Sequence, residues 1–349
     1  MKICNNLFKN MVSMESLLNA WDEFKKGKRN KLDVQEFEFR LEDNLFLLHQ
    51  DLITKRYKHG QYQGFYIRDP KIRQIHKSKV RDRIVHHIIF KYLNPIFEPT
   101  FIADSYSCRK NKGTHRGIKR LEVFARKVYQ TYGSCFVLKC DIKKFFPTLN
   151  HKILLEIIAR RIKDKDVLWL LQSVIESFFS EFSDEKDLKG APIGNLTSQL
   201  FANIYMNELD QFIKHNLRIR YYIRYTDDFV IIHQNKDYLL KIKDELTNFI
   251  ESRLKLSLHP EKVSIRKYRQ GIDFLGYITL PKARVLRTKV RHRIFKKLRQ
   301  KVRQFKTGKI KEETLLRSID SYFGVLSHAN SYKLEQELRQ RLWQWLKEP

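Results

Sequence analysis

Apolar positions along this chain change their period repeatedly, and each change marks an expected element. Leu41, Leu45, Leu48 and Leu52 recur at helical spacing with charges between them, so residues 14–56 read as helical. Residues 62–68 and 71–76 flank Asp69-Pro70, a turn signal, and predict a β-hairpin studded with cations. A basic helix is expected from about Val80 to Leu93, and a second helix runs to about Tyr132 after the polar loop 103–117. Phe136, Leu138 and Cys140 then alternate as a strand that ends on Asp141. Asn150 is placed to cap a helix with Ile153, Leu154, Ile157 and Ile158 on one face. Beyond the acidic loop 183–187, residues 191–199 read as an ordered loop. Thr197 or Ser198 would cap the helix bearing Leu200, Phe201, Ile204, Leu209, Phe212 and Ile213. Ile219, Tyr221, Ile223 and Tyr225 recur with period two, as in a strand with one buried face, and residues 229–233 form a second apolar run. Thr226-Asp227-Asp228 between them reads as a tight turn, since Asp tolerates turn conformations. A helix over 241–256, a turn-rich stretch at 271–276 and a helical stripe of Val290, Ile294, Leu298, Val302 and Phe305 complete the pattern.

Charge narrows the partner. The 349 residues hold 69 Lys and Arg against 39 Asp and Glu, a formal net charge of +30, which calls for a polyanion. Nucleic acid is the first choice and an anionic membrane surface the second. Aromatic residues make up 13% of the chain and are spread along it, which implies a folded body rather than a basic tail. From 281 to 311 there are 14 Lys or Arg and no Asp or Glu, so the stripe helix has a wholly basic outer face, suited to a phosphate backbone. No apolar run reaches the length of a bilayer span, and the first ten residues lack a signal-peptide core. Cys4, Cys108, Cys135 and Cys140 show no metal-binding spacing, so reduced thiols in a cytoplasmic protein are expected.

Candidate chemistry centres on acidic residues. Adjacent Asp227 and Asp228 would raise each other's pKa unless a cation sits between them; taken alone, they fit a solvated acidic turn equally well. Asp141 changes this, because a carboxylate leaving an apolar strand is well placed for a metal. If the two strands are neighbours in one antiparallel sheet, Asp141, Asp227 and Asp228 converge. They would then hold two Mg²⁺ ions through hard oxygen ligands, activating a 3′-hydroxyl and stabilising a leaving pyrophosphate. A nuclease could use the same acids. It has no need of the cationic hairpin (Arg68, Lys71, Arg73) upstream or of the basic helix (Lys289, Arg293, Lys297, Lys301) downstream.

Together these motifs resemble the reverse transcriptases over residues 15–345. The resemblance implies an α+β right-hand polymerase: N-terminal helices and fingers over 1–100, a palm with an antiparallel sheet and remaining fingers elements over 101–280, and a basic helical thumb over 281–349. Asp141-Ile142-Lys143-Lys144-Phe145-Phe146 resembles the first palm motif. It implies the Asp141 carboxylate and the Ile142 carbonyl as metal ligands beside Asp227 and Asp228, with Mn²⁺ able to replace Mg²⁺, and Phe146 as the aromatic that blocks a ribose 2′-hydroxyl and so selects dNTPs. Tyr225-Thr226-Asp227-Asp228 matches the Tyr-x-Asp-Asp motif. Lys262 matches the lysine proposed as general acid for pyrophosphate, Phe274-Leu275-Gly276 the primer grip, and Arg73, with Arg68 and Lys71, the triphosphate-holding position. Ile193-Gly194 and Ser198-Gln199 stand where most retroviral and intron enzymes have Gln-Gly and Ser-Pro. That pattern resembles the reverse transcriptases of diversity-generating retroelements, as do residues 108–115 and 327–329. It implies copying a template RNA into cDNA with errors opposite adenines, an accessory small basic protein, and a prokaryotic or phage origin. An aliphatic Ile193 loses the hydrogen bonds a Gln would offer the incoming nucleotide. Antiphage-defence reverse transcriptases templated by a non-coding RNA share these motifs, and a non-catalytic RNA-binding scaffold is the alternative from another class. Against the scaffold stand the three retained carboxylates, costly to cluster without metal. With about 40 residues after the basic helix and no acidic cluster of the RNase H kind, neither a nuclease or maturase domain nor a self-splicing-intron role is expected.

Overall fold

The computed structural model describes residues 6–68 and 71–348. The expected Asp69-Pro70 turn, Cys4 and the first five residues lie outside them. The N-terminal helical region resolves into α1 (Phe8–Met11), α2 (Met14–Lys25), α3 (Leu32–Phe39) and α4 (Leu41–Ile53), with Leu45, Leu48 and Leu52 buried as their spacing implies. The cationic hairpin is β1 (Gln63–Ile67) paired antiparallel with β2 (Arg73–Lys77) in a two-stranded sheet, and all five β1 residues are exposed. Helix α5 (Val80–Phe97) extends past Leu93 through Pro95. Helix α6 (Thr114–Tyr132) ends on Gly133 in the left-handed region, which lacks a Cβ to obstruct it. β3 (Phe136–Asp141), α7 (Phe145–Thr148) and α8 (His151–Ala159) follow; Asn150 caps α8 by accepting from the Ile153 amide. Asp164 caps α9 (Lys165–Ile175) in the same manner.

Two expected helix starts are corrected. Asn195, not Thr197 or Ser198, stands at the start of α10 (Leu196–Gln211), and both hydroxyl residues are buried in its first turn. Helix α11 (Lys236–Leu254) starts five residues earlier than expected, because the Asn235 side chain accepts from the Tyr238 amide and caps it there.

The central sheet has the order β4 (Tyr222–Tyr225), β5 (Asp228–His233), β3, β6 (Ser264–Lys267), antiparallel throughout. The expectation of one buried face fails here. Tyr222, Phe229, Ile231, Leu138 and Cys140 join the large core with α8, α10 and α11, while Val137, Ile223, Val230 and Ile232 join a second core with Leu121, Phe124 and Val128 of α6. Covered on both faces, β4 and β5 are buried almost end to end.

A three-stranded sheet, β7 (Ile272–Phe274), β8 (Tyr277–Thr279) and β9 (Arg284–Leu286), leads to α12 (Thr288–Lys306), α13 (Glu312–Leu326) and α14 (Tyr332–Lys347). Ile294, Leu298 and Val302 of α12 bury against Leu315, Leu326, Leu338 and Trp345. The bundle meets α6 where His115 stacks on His328, ring centroids 3.6 Å apart, and the three-stranded sheet meets it where Arg284 of β9 pairs with Glu122.

Candidate active site

Register brings the acidic residues together. β3 pairs with β5 so that Asp141 lies directly opposite Asp228, and Tyr225 pairs with Asp228 across a two-residue turn of Thr226 and Asp227. It is Thr226, not an Asp, that takes the left-handed conformation, at φ +57°. The Ile142 amide donates to the Asp227 carbonyl at 3.2 Å, tying the hairpin tip to the strand end. Lys262 reaches Asp141, Nζ to Oδ1 2.6 Å, and Lys139 stands 3.8 Å from Asp228 Oδ2.

Burial and like charge dominate the electrostatics here. Burial, aided by the Asp141 charge, pushes the Asp227 carboxyl up to about 6. Burial pushes Asp228 to about 7; Lys139 opposes the rise while Asp141 and Asp227 add to it. Asp228 Oδ1 is buried with no hydrogen-bond partner. Among the described residues no three carboxylate, imidazole or thiolate side chains already stand within reach of one ion, and Asp141 is engaged by Lys262. Clustered hard oxygens, one of them orphaned, together with two lysines serving as counter-charge, fit a divalent cation.

The other expected residues surround this centre at different distances. Arg73 opens β2, and its charge lowers the Asp227 carboxyl against the effect of burial. Arg68 and Lys71 are exposed at the same end of the hairpin. Phe146 is half-buried, its ring 5.3 Å from that of Phe145, and its carbonyl accepts from the Ala191 amide at 2.8 Å. The Ile193 carbonyl accepts from the His76 amide at 3.1 Å, and Gly194 has φ +112°, where a Cβ would lie 2.8 Å from Ile75 Cγ2. Asn195 completes this seam, accepting from Ser78 Oγ at 2.6 Å and donating to the His76 carbonyl at 3.0 Å. Gln199 is exposed one turn into α10. Tyr225 is half-buried, and its hydroxyl accepts from Thr114 Oγ1 at 3.3 Å.

Phe274 is buried, and Leu275-Gly276 form the β7–β8 turn with φ +51° and +90°. Positive φ at both central positions is the signature of a type I′ turn, unusual for a leucine. Lys289, Arg293, Lys297 and Lys301 follow one another at four-residue intervals along one flank of the α12 seam. On the opposite flank Arg291 and Arg299 are drawn to Glu337 and Glu348.

Sequence reasoning missed Lys139, Asn195 and the buried pair Arg224–Asp210, whose side chains are both 0% exposed. A hint was present: Arg224 interrupts a strand of aromatics and isoleucine, and Asp210 interrupts the apolar positions of α10.

Residues 58–279 match the family model described as reverse transcriptase (RNA-dependent DNA polymerase). The chain belongs to that family. RNA-directed DNA polymerisation by a two-metal mechanism is general to reverse transcriptases, which depend on divalent metal ions. This reverse transcriptase is 27% identical over 273 residues to protein YkfC of Escherichia coli strain K12, covering 68% of this chain and 71% of YkfC. It is 24% identical over 296 residues to the group II intron-encoded protein LtrA of Lactococcus lactis subsp. cremoris, covering 64% of this chain and 48% of LtrA. Among solved structures, apo telomerase from Candida tropicalis, truncated from its C-terminal domain, aligns with 69% of this chain and 59% of its own at 17% identity and a TM-score of 0.48. No helix among the described residues is long and apolar enough to cross a membrane.

Proposed function

We propose that this chain is an RNA-directed DNA polymerase that extends a primer on an RNA template, with Asp141, Asp227 and Asp228 as its catalytic residues. The observation that carries the reading is the pairing of Asp141 with Asp228 across the sheet, beside a buried Asp228 oxygen that lacks a partner. The three carboxylates and the Ile142 carbonyl would hold two Mg²⁺ ions, or Mn²⁺ in their place. Such ions lower the pKa of the attacking 3′-hydroxyl and neutralise charge on the leaving pyrophosphate. Arg73, with Arg68 and Lys71, holds the triphosphate. Phe146 stands against the sugar and excludes a 2′-hydroxyl. Lys262, which bonds Asp141, serves in this reading as the general acid for pyrophosphate. Phe274, Leu275 and Gly276 support the primer end, and Lys289, Arg293, Lys297 and Lys301 face the duplex backbone. In this reading residues 1–100, 101–280 and 281–349 are fingers, palm and thumb of a cytoplasmic enzyme.

Primer extension on an RNA template with Mg²⁺ tests the assignment. Wild type should extend and Asp227→Asn should not; equal extension by both overturns the site, and none by either overturns the activity.

We further propose that the enzyme belongs to the diversity-generating retroelement type, error-prone opposite adenines and working with a small basic accessory protein. Support comes from Ile193, whose carbonyl is spent on the hairpin and whose side chain offers no hydrogen bond. Ile193→Gln should change the misincorporation spectrum opposite adenine; an unchanged spectrum sinks the proposal. Paired repeats and an accessory gene beside the coding sequence favour this reading, whereas a lone RNA-plus-enzyme cassette favours antiphage defence.

A further inference from the structure

Behind the hairpin tip lies a charge that polymerisation as described does not use. The Arg224 guanidinium is wholly buried, and each of its five N–H groups finds an acceptor. Nε and Nη2 hold the two Asp210 oxygens at 2.8 and 2.7 Å. Nη1 donates to Asn203 Oδ1 at 3.3 Å and to the Thr226 carbonyl at 3.0 Å, and Nη2 also donates to Ser105 Oγ at 3.2 Å. Asp210 accepts a further bond from the Tyr222 hydroxyl at 2.7 Å. Apolar residues of similar volume often replace such a pair at no loss of stability, so stability alone is a weak reason for it.

Thr226 supplies a better one. A β-branched residue at φ +57° is strained and persists only where its surroundings hold it. Here Arg224 grips its carbonyl, and Ser107 Oγ bonds its hydroxyl at 2.6 Å. Ser107 belongs to a segment that runs alongside β4, with Ser105 bridged to Arg224, the Arg224 amide donating to Asp104 and the Tyr106 amide donating to Arg224. The residue after Thr226 is Asp227, whose carbonyl takes the Ile142 amide. A change of φ at 226 would therefore shift Asp227 and strain the pairing that sets Asp228 opposite Asp141.

We infer that Arg224 is a positioning residue: by clamping Thr226 in its left-handed conformation, with Ser107 as second anchor, it sets where the carboxylates of Asp227 and Asp228 lie. The inference rests on the metal-site reading above, and the test separates the two. Arg224→Lys keeps a charge for Asp210 but lacks the fork that also reaches Thr226. Mn²⁺ binding to the full chain, followed by electron paramagnetic resonance, should weaken about tenfold in this variant. In primer extension kcat should fall while KM for dNTP stays within about twofold. Adding Thr226→Gly, which adopts positive φ without strain, should recover most of the Mn²⁺ affinity. If Arg224→Lys does not fold, Arg224→Met with Asp210→Leu removes both charges together and takes its place. A folded clamp variant with wild-type Mn²⁺ affinity overturns the positioning role, as does a loss that Thr226→Gly leaves untouched. A wild type that binds no Mn²⁺ overturns the metal site and the positioning role with it.

Discussion

Asp228 must carry a negative charge where burial and the neighbouring carboxylates of Asp141, Asp227 and Asp273 oppose it. Its folded pKa of about 7 lies above the unfolded value, so without metal the folded state holds the proton more tightly than the unfolded chain does. The stability this contributes is full below the unfolded carboxylate range and is lost as pH rises toward 7; Asp227, at about 6, behaves alike. In chelator, Asp228→Asn should therefore melt a few degrees above wild type at pH 7.5, and the gap should shrink toward pH 5. Added Mg²⁺ should close or reverse it, and differential scanning fluorimetry reads all three conditions. The acids themselves were legible, because a strand end and a turn each leave a mark in local sequence. Arg224 was not. Alternation assigned it to a solvent face, yet that face, shared with Tyr222, is covered by the large core, where α10 brings Asp210 and Asn203 to it. That Thr226 rather than an Asp bears the positive φ was equally hidden, since it is held by Arg224, itself misassigned to solvent, and by Ser107, more than a hundred positions away.

At the scale of elements, the cationic hairpin is tied to the sheet-bearing body through residues 193–195. Gly194→Ala would place a Cβ 2.8 Å from Ile75 at a φ that side chains rarely adopt, a cost of roughly 1–3 kcal/mol. It should lower thermal stability and raise KM for dNTP more than it lowers kcat, measured by melting and steady-state extension. Asn195→Ala leaves the Ser78 hydroxyl and the His76 carbonyl without these partners and should cost about 1–3 kcal/mol by denaturant titration. This seam also explains the misplaced cap of α10. The Asn195 side chain, which local rules would spend on the helix, is spent on the hairpin. The start of α11 shows the opposite case: Asn235 does cap locally, and the buried series Leu239, Ile242, Leu246, Ile250 and Leu254 begins before the point where the expected helix began. The α11 start was set by a neighbouring residue and open to local reading, although the expected helix began five residues late. The α10 start was not open to it, because the Asn195 side chain is drawn to Ser78 and His76 more than a hundred positions away.

For the whole molecule, a net charge of +30 makes salt the controlling variable. Affinity for an RNA–DNA duplex should fall linearly in a log–log plot against salt. Replacing Lys289, Arg293 and Lys301 together by Ala should reduce the slope by about three if each meets a phosphate. Replacing Arg291 and Arg299, already paired with Glu337 and Glu348, should change it less. Fluorescence anisotropy at several salt concentrations separates the flanks.

The exposed ribbon of β1 and β2 carries a practical consequence. Phe65, Tyr66, Ile67 and Ile72 lie on it largely uncovered, and a two-stranded ribbon has little stability of its own. Enzyme stripped of nucleic acid should therefore be nicked first along this stretch under limited trypsin, at Arg68, Lys71, Arg73 or Lys77, while the cores stay intact. Primed RNA template with dNTP should slow that first cut. Preparations freed of RNA would then lose activity in storage through one clipped ribbon, long before they lose their fold.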